Sequence, residues 1–169
     1  RLSSGWAQQL FDVMPDLTTL GKYLAGGLTF GAFGGRADVL AAFDPNTGGA
    51  LSQAGTFNNN ILSMSAVVAT LTDVLTPEVL NRVNERGDRL REELNAIFED
   101  VERPMKVTGV GSLMAVRAPD MELEVFFHAM LEAGWYLARR GFIALSVEIT
   151  DELVDEFVAA VKCWATDLS

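Results

Sequence analysis

Lys22 is the residue whose type and setting most invite chemistry. It stands in GKYLAGGLTFGAFGG, a stretch with glycine at positions 21, 26, 27, 31, 34 and 35. A lysine that reacts through its amine must be neutral part of the time, a state favoured by burial and by nearby cations. Glycines on either side would let a flat ligand approach the backbone closely. A solvated loop lysine explains the same residues and is the commoner arrangement. A nucleotide phosphate loop is excluded, because that motif needs glycine five positions before the Gly-Lys pair and a hydroxyl residue after it. Asp16 and Tyr23 occupy those places.

Two further segments carry polar groups at useful spacing. QAGTFNNN, residues Gln53 to Asn60, leads into an apolar run. Gly55 and Thr56 there would present backbone N–H groups and a hydroxyl near a helix start, where the helix dipole favours an anion. A capped helix entrance with asparagines in a turn is the commoner arrangement. Arg139 and Arg140 precede Gly141, and an arginine beside a glycine can offer two parallel donors to a carboxylate. A surface pair of arginines in a turn is the plainer alternative. His128, the one histidine, sits between apolar residues of a helix and reads as a core or boundary residue. With one histidine and one cysteine, Cys163, no metal-ligand cluster is expected. No serine lies in the strained Gly-x-Ser-x-Gly setting of a hydrolase nucleophile.

The elements that must position these residues follow from periodicity. LTTLGK predicts a short strand ending at Gly21, and TFGAF a second, buried one. Ala37 to Phe43 predicts one or two helical turns, and Asp44 to Gly49 a turn. Asn59 to Leu75 is apolar nearly all round and predicts a buried helix. Thr76-Pro77-Glu78 supplies a cap, a first-turn proline and an acid for a long helix to about Glu99. Gly87 interrupts its apolar stripe, and Asn84, Glu85, Asp88, Arg91 and Glu92 form its solvated face. Beyond it come a β-rich stretch from Met105 to Ala118, a helix from Met121 to Gly134 and short strands at Trp135-Tyr136 and at Phe142 to Val147. Thr150 then caps a last helix from Asp151 to Trp164. The layout is α/β in its first part and α+β after it, with a boundary near residue 76.

Composition bounds the rest. Hydrophobic residues make up 49% of the 169 and the formal net charge is −10, a globular profile that disfavours nucleic acid, whose phosphates need clustered cations. A lone cysteine allows no intrachain disulfide, and no apolar run approaches the roughly 20 residues of a spanning helix. No membrane and a cytoplasmic setting are therefore expected. The opening residues, from Arg1, carry no helix or strand start, as if the chain began within a domain.

Taken together, PDLTTLGKYLAGGLTFGAFGGR, QAGTFNNN and RRGF resemble class III aminotransferases of the fold-type-I pyridoxal-phosphate group. The branch they resemble holds β-amino-acid transaminases and glutamate-1-semialdehyde aminomutases. The resemblance covers nearly the whole chain. It implies an α/β fold: residues 1–75 as the end of the large cofactor-binding domain with its mixed sheet, and residues 76–169 as the small α+β C-terminal domain. It implies pyridoxal 5'-phosphate as cofactor, held as an aldimine on Lys22, which also shuttles the substrate proton. Thr56 with the N–H beside it, and Gly55, would bind the cofactor phosphate of a neighbouring copy, so a homodimer with shared active sites is implied. Arg140 matches an arginine implied in binding a substrate carboxylate. The expected activity is amino transfer between an amino acid, β-amino acids included, and a 2-oxo acid. Glutamate-1-semialdehyde 2,1-aminomutase is the alternative, and a truncated binding or structural paralogue without catalysis is the alternative of another kind. Family members also carry an aspartate, in an Asp-Glu-Val strand, that pairs with the cofactor's ring nitrogen. The resemblance places it upstream of Arg1, so the chain alone is expected to be inactive.

Overall fold

The structure is a computed structural model that describes residues 2–167. It divides into two compact units, one of residues 5–76 and one of residues 2–4 together with 77 onward.

The first unit opens with a five-residue helix, α1 (Trp6–Leu10), which the apolar pattern of the opening stretch did not foretell. Strand β1 (Leu17–Gly21) then pairs antiparallel with β2 (Gly31–Gly35), from Leu17 opposite Gly35 to Gly21 opposite Gly31. This is a two-stranded ribbon with alternate residues exposed, not the buried strand expected of TFGAF. Only 31–35 pair, because Thr29 and Phe30 lie in the loop that brings the chain back. A 3-10 turn, Lys22–Ala25, leaves the ribbon and buries Leu24 and Ala25. Helix α2 (Ala37–Leu40) continues as a 3-10 turn through Phe43, whose ring packs on Phe33 at 5.4 Å. Asp44 accepts from the Asn46 N–H at 2.9 Å, closing the expected turn.

Helix α3 (Ile61–Ala69) is capped by Asn60, whose side chain accepts from the Ser63 N–H. It runs into a π-turn, Thr70–Val74, closed by the Leu75 N–H donating to the Thr70 carbonyl at 2.8 Å. The helix is present as expected, but it is not buried. Ile61 is 79% exposed and Leu62 73%, and Val68, Leu71 and Val74 are exposed as well. An all-round apolar sequence states only that several faces seek cover. Among the described residues only Ser63 and Thr70 of this segment are buried.

The second unit is built on helix α4 (Pro77–Asp100), which lies against an antiparallel sheet of order β3-β4-β5. Its strands are β3 (Lys106–Val110), β4 (Leu113–Arg117) and β5 (Phe142–Ala144). Helix α5 (Asp120–Glu132) packs on α6 (Asp151–Asp167), and α6 packs on α4. Their apolar faces meet in one core. Leu90, Leu94 and Phe98 of α4 join Val107, Met114, Val116, Phe126, Met130, Val154 and Val161 there. Thr150 caps α6 through the Leu153 N–H at 3.3 Å, as expected. Cys163 lies exposed on α6.

Three local expectations change in this unit. Gly87 does not weaken α4; it is buried, and a Cβ there would lie 2.1 Å from the Gly111 carbonyl oxygen. The face around it is not wholly solvated. Asn84 accepts from the Ser112 N–H and Asp88 from the Gly111 N–H, each at 2.9 Å, so α4 clasps the β3–β4 turn. Residues 135–138 form no strand. Gly134, at φ +89°, ends α5 and turns the chain so that Trp135 and Leu137 pack on the core, with Trp135 5.2 Å from Phe157. Among the described residues no single helix is long and apolar enough to cross a membrane.

Candidate active site

Lys22 is placed by the end of the ribbon. Gly21, the last paired residue of β1, hands the chain to the 3-10 turn, and Lys22 is its first residue. Its backbone sits in the left-handed region at φ +59°. That region is costly for a residue with a Cβ, so neighbouring structure must hold it there. The side chain is exposed and joins none of the ion pairs among the described residues. A lysine in that state keeps its amine available to a ligand.

Gly55 and Thr56 form a tight turn ahead of α3. The Asn58 N–H donates to the Gly55 carbonyl at 3.0 Å, and the Asn58 side-chain amide donates to the Gln53 carbonyl at 3.1 Å. A Cβ on Gly55 would lie 2.7 Å from Asn58 Oδ1, so the turn closes over a bare Cα. Thr56 is exposed at its tip. In the same unit a cavity of about 730 Å³ opens between the start of β2 and this loop. Gly31, the partner of Gly21, lines it together with Gln53, Phe57, the asparagines 58–60 and Ser63. Lys22, Gly55 and Thr56 themselves are not among its lining residues.

Arg139 and Arg140 belong to the other unit, in the turn before β5. Gly141 shapes that turn at φ +78°, with the space for a Cβ filled by the Val116 carbonyl oxygen at 2.5 Å. The two arginines differ. Arg139 donates through Nε to both carboxylate oxygens of Glu124, at 2.8 and 3.0 Å. That hydrogen bond holds the Glu124 carboxyl below its ordinary range and raises Arg139. Arg140 has no carboxylate among the described residues and lies over the Phe142 ring, 5.6 Å from its centroid. Glu124 was not foreseen as the residue that tells them apart. It is one of four acids on the preceding helix, 15 positions before Arg139, and nothing in the residue order singles it out.

His128 is not a core residue. Its side chain is 62% exposed, with Nε2 3.8 Å from Glu124 one helical turn back. Among the described residues no group of three or more His, Cys, Asp or Glu could hold a metal.

A family model described as aminotransferase class-III matches residues 3–163. The chain is 46% identical over 164 residues to the β-phenylalanine transaminase of Variovorax paradoxus, covering 88% of this chain and 37% of that protein. A solved structure of a β-phenylalanine aminotransferase from the same organism superposes with a TM-score of 0.91 at 39% identity, over 98% of this chain and 42% of that one. The glutamate-1-semialdehyde 2,1-aminomutase of Methanothrix thermoacetophila is 37% identical over 177 residues, 96% of this chain and 41% of that protein. A solved transaminase with PLP bound shares the fold with a TM-score of 0.86 at 28% identity, over 96% of this chain and 40% of that one. The chain thus spans about two fifths of the length of the curated relatives it matches, and its fold is that of the C-terminal part of these enzymes. By the family match over residues 3–163, the chain belongs to the class III aminotransferases.

Proposed function

We propose that this chain supplies the lysine-bearing and carboxylate-binding parts of a pyridoxal-phosphate-dependent transaminase. Lys22 would hold the cofactor covalently, and the enzyme would exchange an amino group between an amino acid and a 2-oxo acid. The observation that carries the reading is the state of Lys22: exposed, free of ion pairs and fixed at positive φ at the end of a strand.

The residues present fit the cofactor. Lys22 offers a free amine, and the turn at Gly55-Thr56 offers a hydroxyl and backbone donors at a tip that closes over a bare glycine. That pattern suits a phosphate. Bound there, pyridoxal phosphate supplies an electron-withdrawing ring that stabilises negative charge on a substrate carbon. The chain's own residues do the rest. Lys22 Nζ would take the proton from the amino-bearing carbon as a general base and deliver it, as an acid, to the cofactor's C4′ carbon. Thr56 anchors the phosphate of a neighbouring copy, so that two chains complete each site. Arg140 receives a substrate carboxylate with its paired N–H donors. Arg139 is occupied by Glu124, which supports Arg140 for that task.

The exposed apolar residues of α3, with Phe57 at 83% exposure, support a homodimer, since many large apolar side chains left bare call for a covering surface. Residues 1–75 and 76–169 then act as the end of the cofactor domain and the small domain. Substrates are small molecules, and cytoplasmic action fits an unpaired, exposed Cys163.

The 37% identity to an aminomutase over 96% of the chain favours a second reading, intramolecular amine migration on glutamate-1-semialdehyde. Conversion of that substrate without any added 2-oxo acid would select it. A third reading, a paralogue that keeps the dimer surface and has lost catalysis, predicts association without cofactor capture. The test of the first is to treat the protein at its native length with pyridoxal phosphate, reduce with borohydride, and map the peptides. A pyridoxyl group on Lys22 supports the reading. Its absence there, or equal labelling of Lys106 and Lys162, sinks it.

A further inference from the structure

We propose that Gly26 and Thr70 are positioning residues for Lys22, together fixing the direction in which its amine leaves the ribbon. This rests on the reading of Lys22 as the cofactor-holding residue. Lys22 is clamped upstream by the Gly21–Gly31 pairing. Downstream, the 3-10 turn is clamped by Leu24 and Ala25, which are 2% and 0% exposed, and by the Gly26 N–H donating to the Tyr23 carbonyl at 3.0 Å. The turn packs on α3 and on the π-turn that follows it. Gly26 ends it in the left-handed region at φ +57°, and a Cβ there would lie 3.4 Å from Thr70 Oγ1. Thr70 is 9% exposed and is the residue whose carbonyl closes the π-turn.

The π-turn ends α3, a place where such wider turns are common. Here the widening starts at the residue that meets Gly26. Lys22 and Gly26 are both left-handed, and the four residues from Lys22 to Ala25 form the turn between the ribbon and Gly26. At roughly 2 Å of rise per residue in a 3-10 helix, that is a short, stiff lever. A displacement at Gly26 therefore reappears at Lys22, and a misplacement of about 1 Å at a reacting group costs on the order of a hundredfold in rate.

The test compares Gly26→Ala and Thr70→Ile with the conservative Gly26→Asn and Thr70→Ser in the native-length protein. Asparagine tolerates the left-handed region and serine keeps the small hydroxyl. Two probes are used: pyridoxal phosphate with borohydride, and trace acetylation by acetic anhydride across pH. Lys106 and Lys162 serve as references within the same chain, and circular dichroism reports the fold. The expected result is a loss of Lys22 labelling by pyridoxal phosphate of about tenfold or more in Gly26→Ala and Thr70→Ile, relative to the references. An altered pH profile for Lys22 acetylation should accompany it, with near-normal behaviour in the asparagine and serine variants. Unchanged Lys22 labelling in Gly26→Ala and Thr70→Ile overturns the proposal. So does a loss that tracks helix content in all four variants. Absence of any Lys22 preference in the unaltered protein overturns the cofactor reading itself and this inference with it.

Discussion

Arg139 and Glu124 are joined by two hydrogen bonds, from one guanidinium nitrogen to both carboxylate oxygens, at 2.8 and 3.0 Å. The neighbouring Arg140 lies over the Phe142 ring and joins no ion pair among the described residues. Two adjacent residues of the same type are thereby given different tasks, one tied to its own unit and one available to an incoming anion.

Arg140→Ala is accordingly expected to raise KM for acidic 2-oxo acids roughly tenfold in the complete enzyme, the scale of a charge-assisted hydrogen bond. Cofactor content should change little. Arg139→Ala should leave that KM near its starting value. Steady-state kinetics with acidic and neutral acceptors checks both, and equal losses for the two acceptor types would count against a carboxylate role.

Gly87→Ala should destabilise the second unit. Alanine favours a helix interior by up to about 1 kcal/mol, but forcing a methyl group against the Gly111 carbonyl costs about 1–3 kcal/mol. A net loss of about 1 kcal/mol is expected, read as a lower urea midpoint. A midpoint that stays or rises would mean that the β3–β4 turn can retreat from α4.

Asn95 holds the edge of the sheet. Its side chain accepts from the Val107 N–H at 2.7 Å and donates to the Val107 carbonyl at 3.0 Å. It thereby satisfies outward groups of β3, the edge strand of the sheet among the described residues. Asn95→Ala strands both groups and should cost about 2 kcal/mol. The Val107 amide should also exchange with solvent faster. Unaltered protection of that amide would show that water replaces the side chain at no loss.

The Asp151 pairing should give stability a dependence on acid. Asp151 accepts a two-point hydrogen bond from Arg86 and lies near Arg89, and these lower its pKa from the ordinary 3.8. A carboxyl whose folded pKa is depressed contributes fully above its unfolded value and loses that contribution as pH falls through the folded one. The gap in urea midpoint between the unaltered protein and Asp151→Asn should therefore be full at neutral pH and close progressively below pH 3.8. A gap that persists in strong acid would assign the effect to packing instead.

Much of this architecture is legible in residue order where the cause is local. The strand ending at Gly21, the proline-led start of α4 and the Thr150 cap each depend on neighbours a few positions away, and each is found. What is not legible depends on distant partners. Gly87 looks like a break until the Gly111 carbonyl is placed against it. Asn84 and Asp88 look solvated until the β3–β4 turn arrives to use them. The apolar run of α3 suggests burial, yet periodicity cannot say which body covers it. At the site, the glycines around Lys22 suggest close backbone approach, but residue order does not foretell that Lys22 itself sits at φ +59°. Nothing in the order of residues separates Arg139 from Arg140, because the deciding acid lies on another helix.

Cys163 is the only thiol in the chain, and it is exposed on α6, 3.7 Å from Asp167. One maleimide dye can therefore be attached to these 169 residues without mutagenesis, on a helix outside residues 5–76. Mixing donor-labelled and acceptor-labelled batches of this chain would convert subunit exchange into energy transfer, and the stoichiometry of an assembly could be counted by stepwise photobleaching.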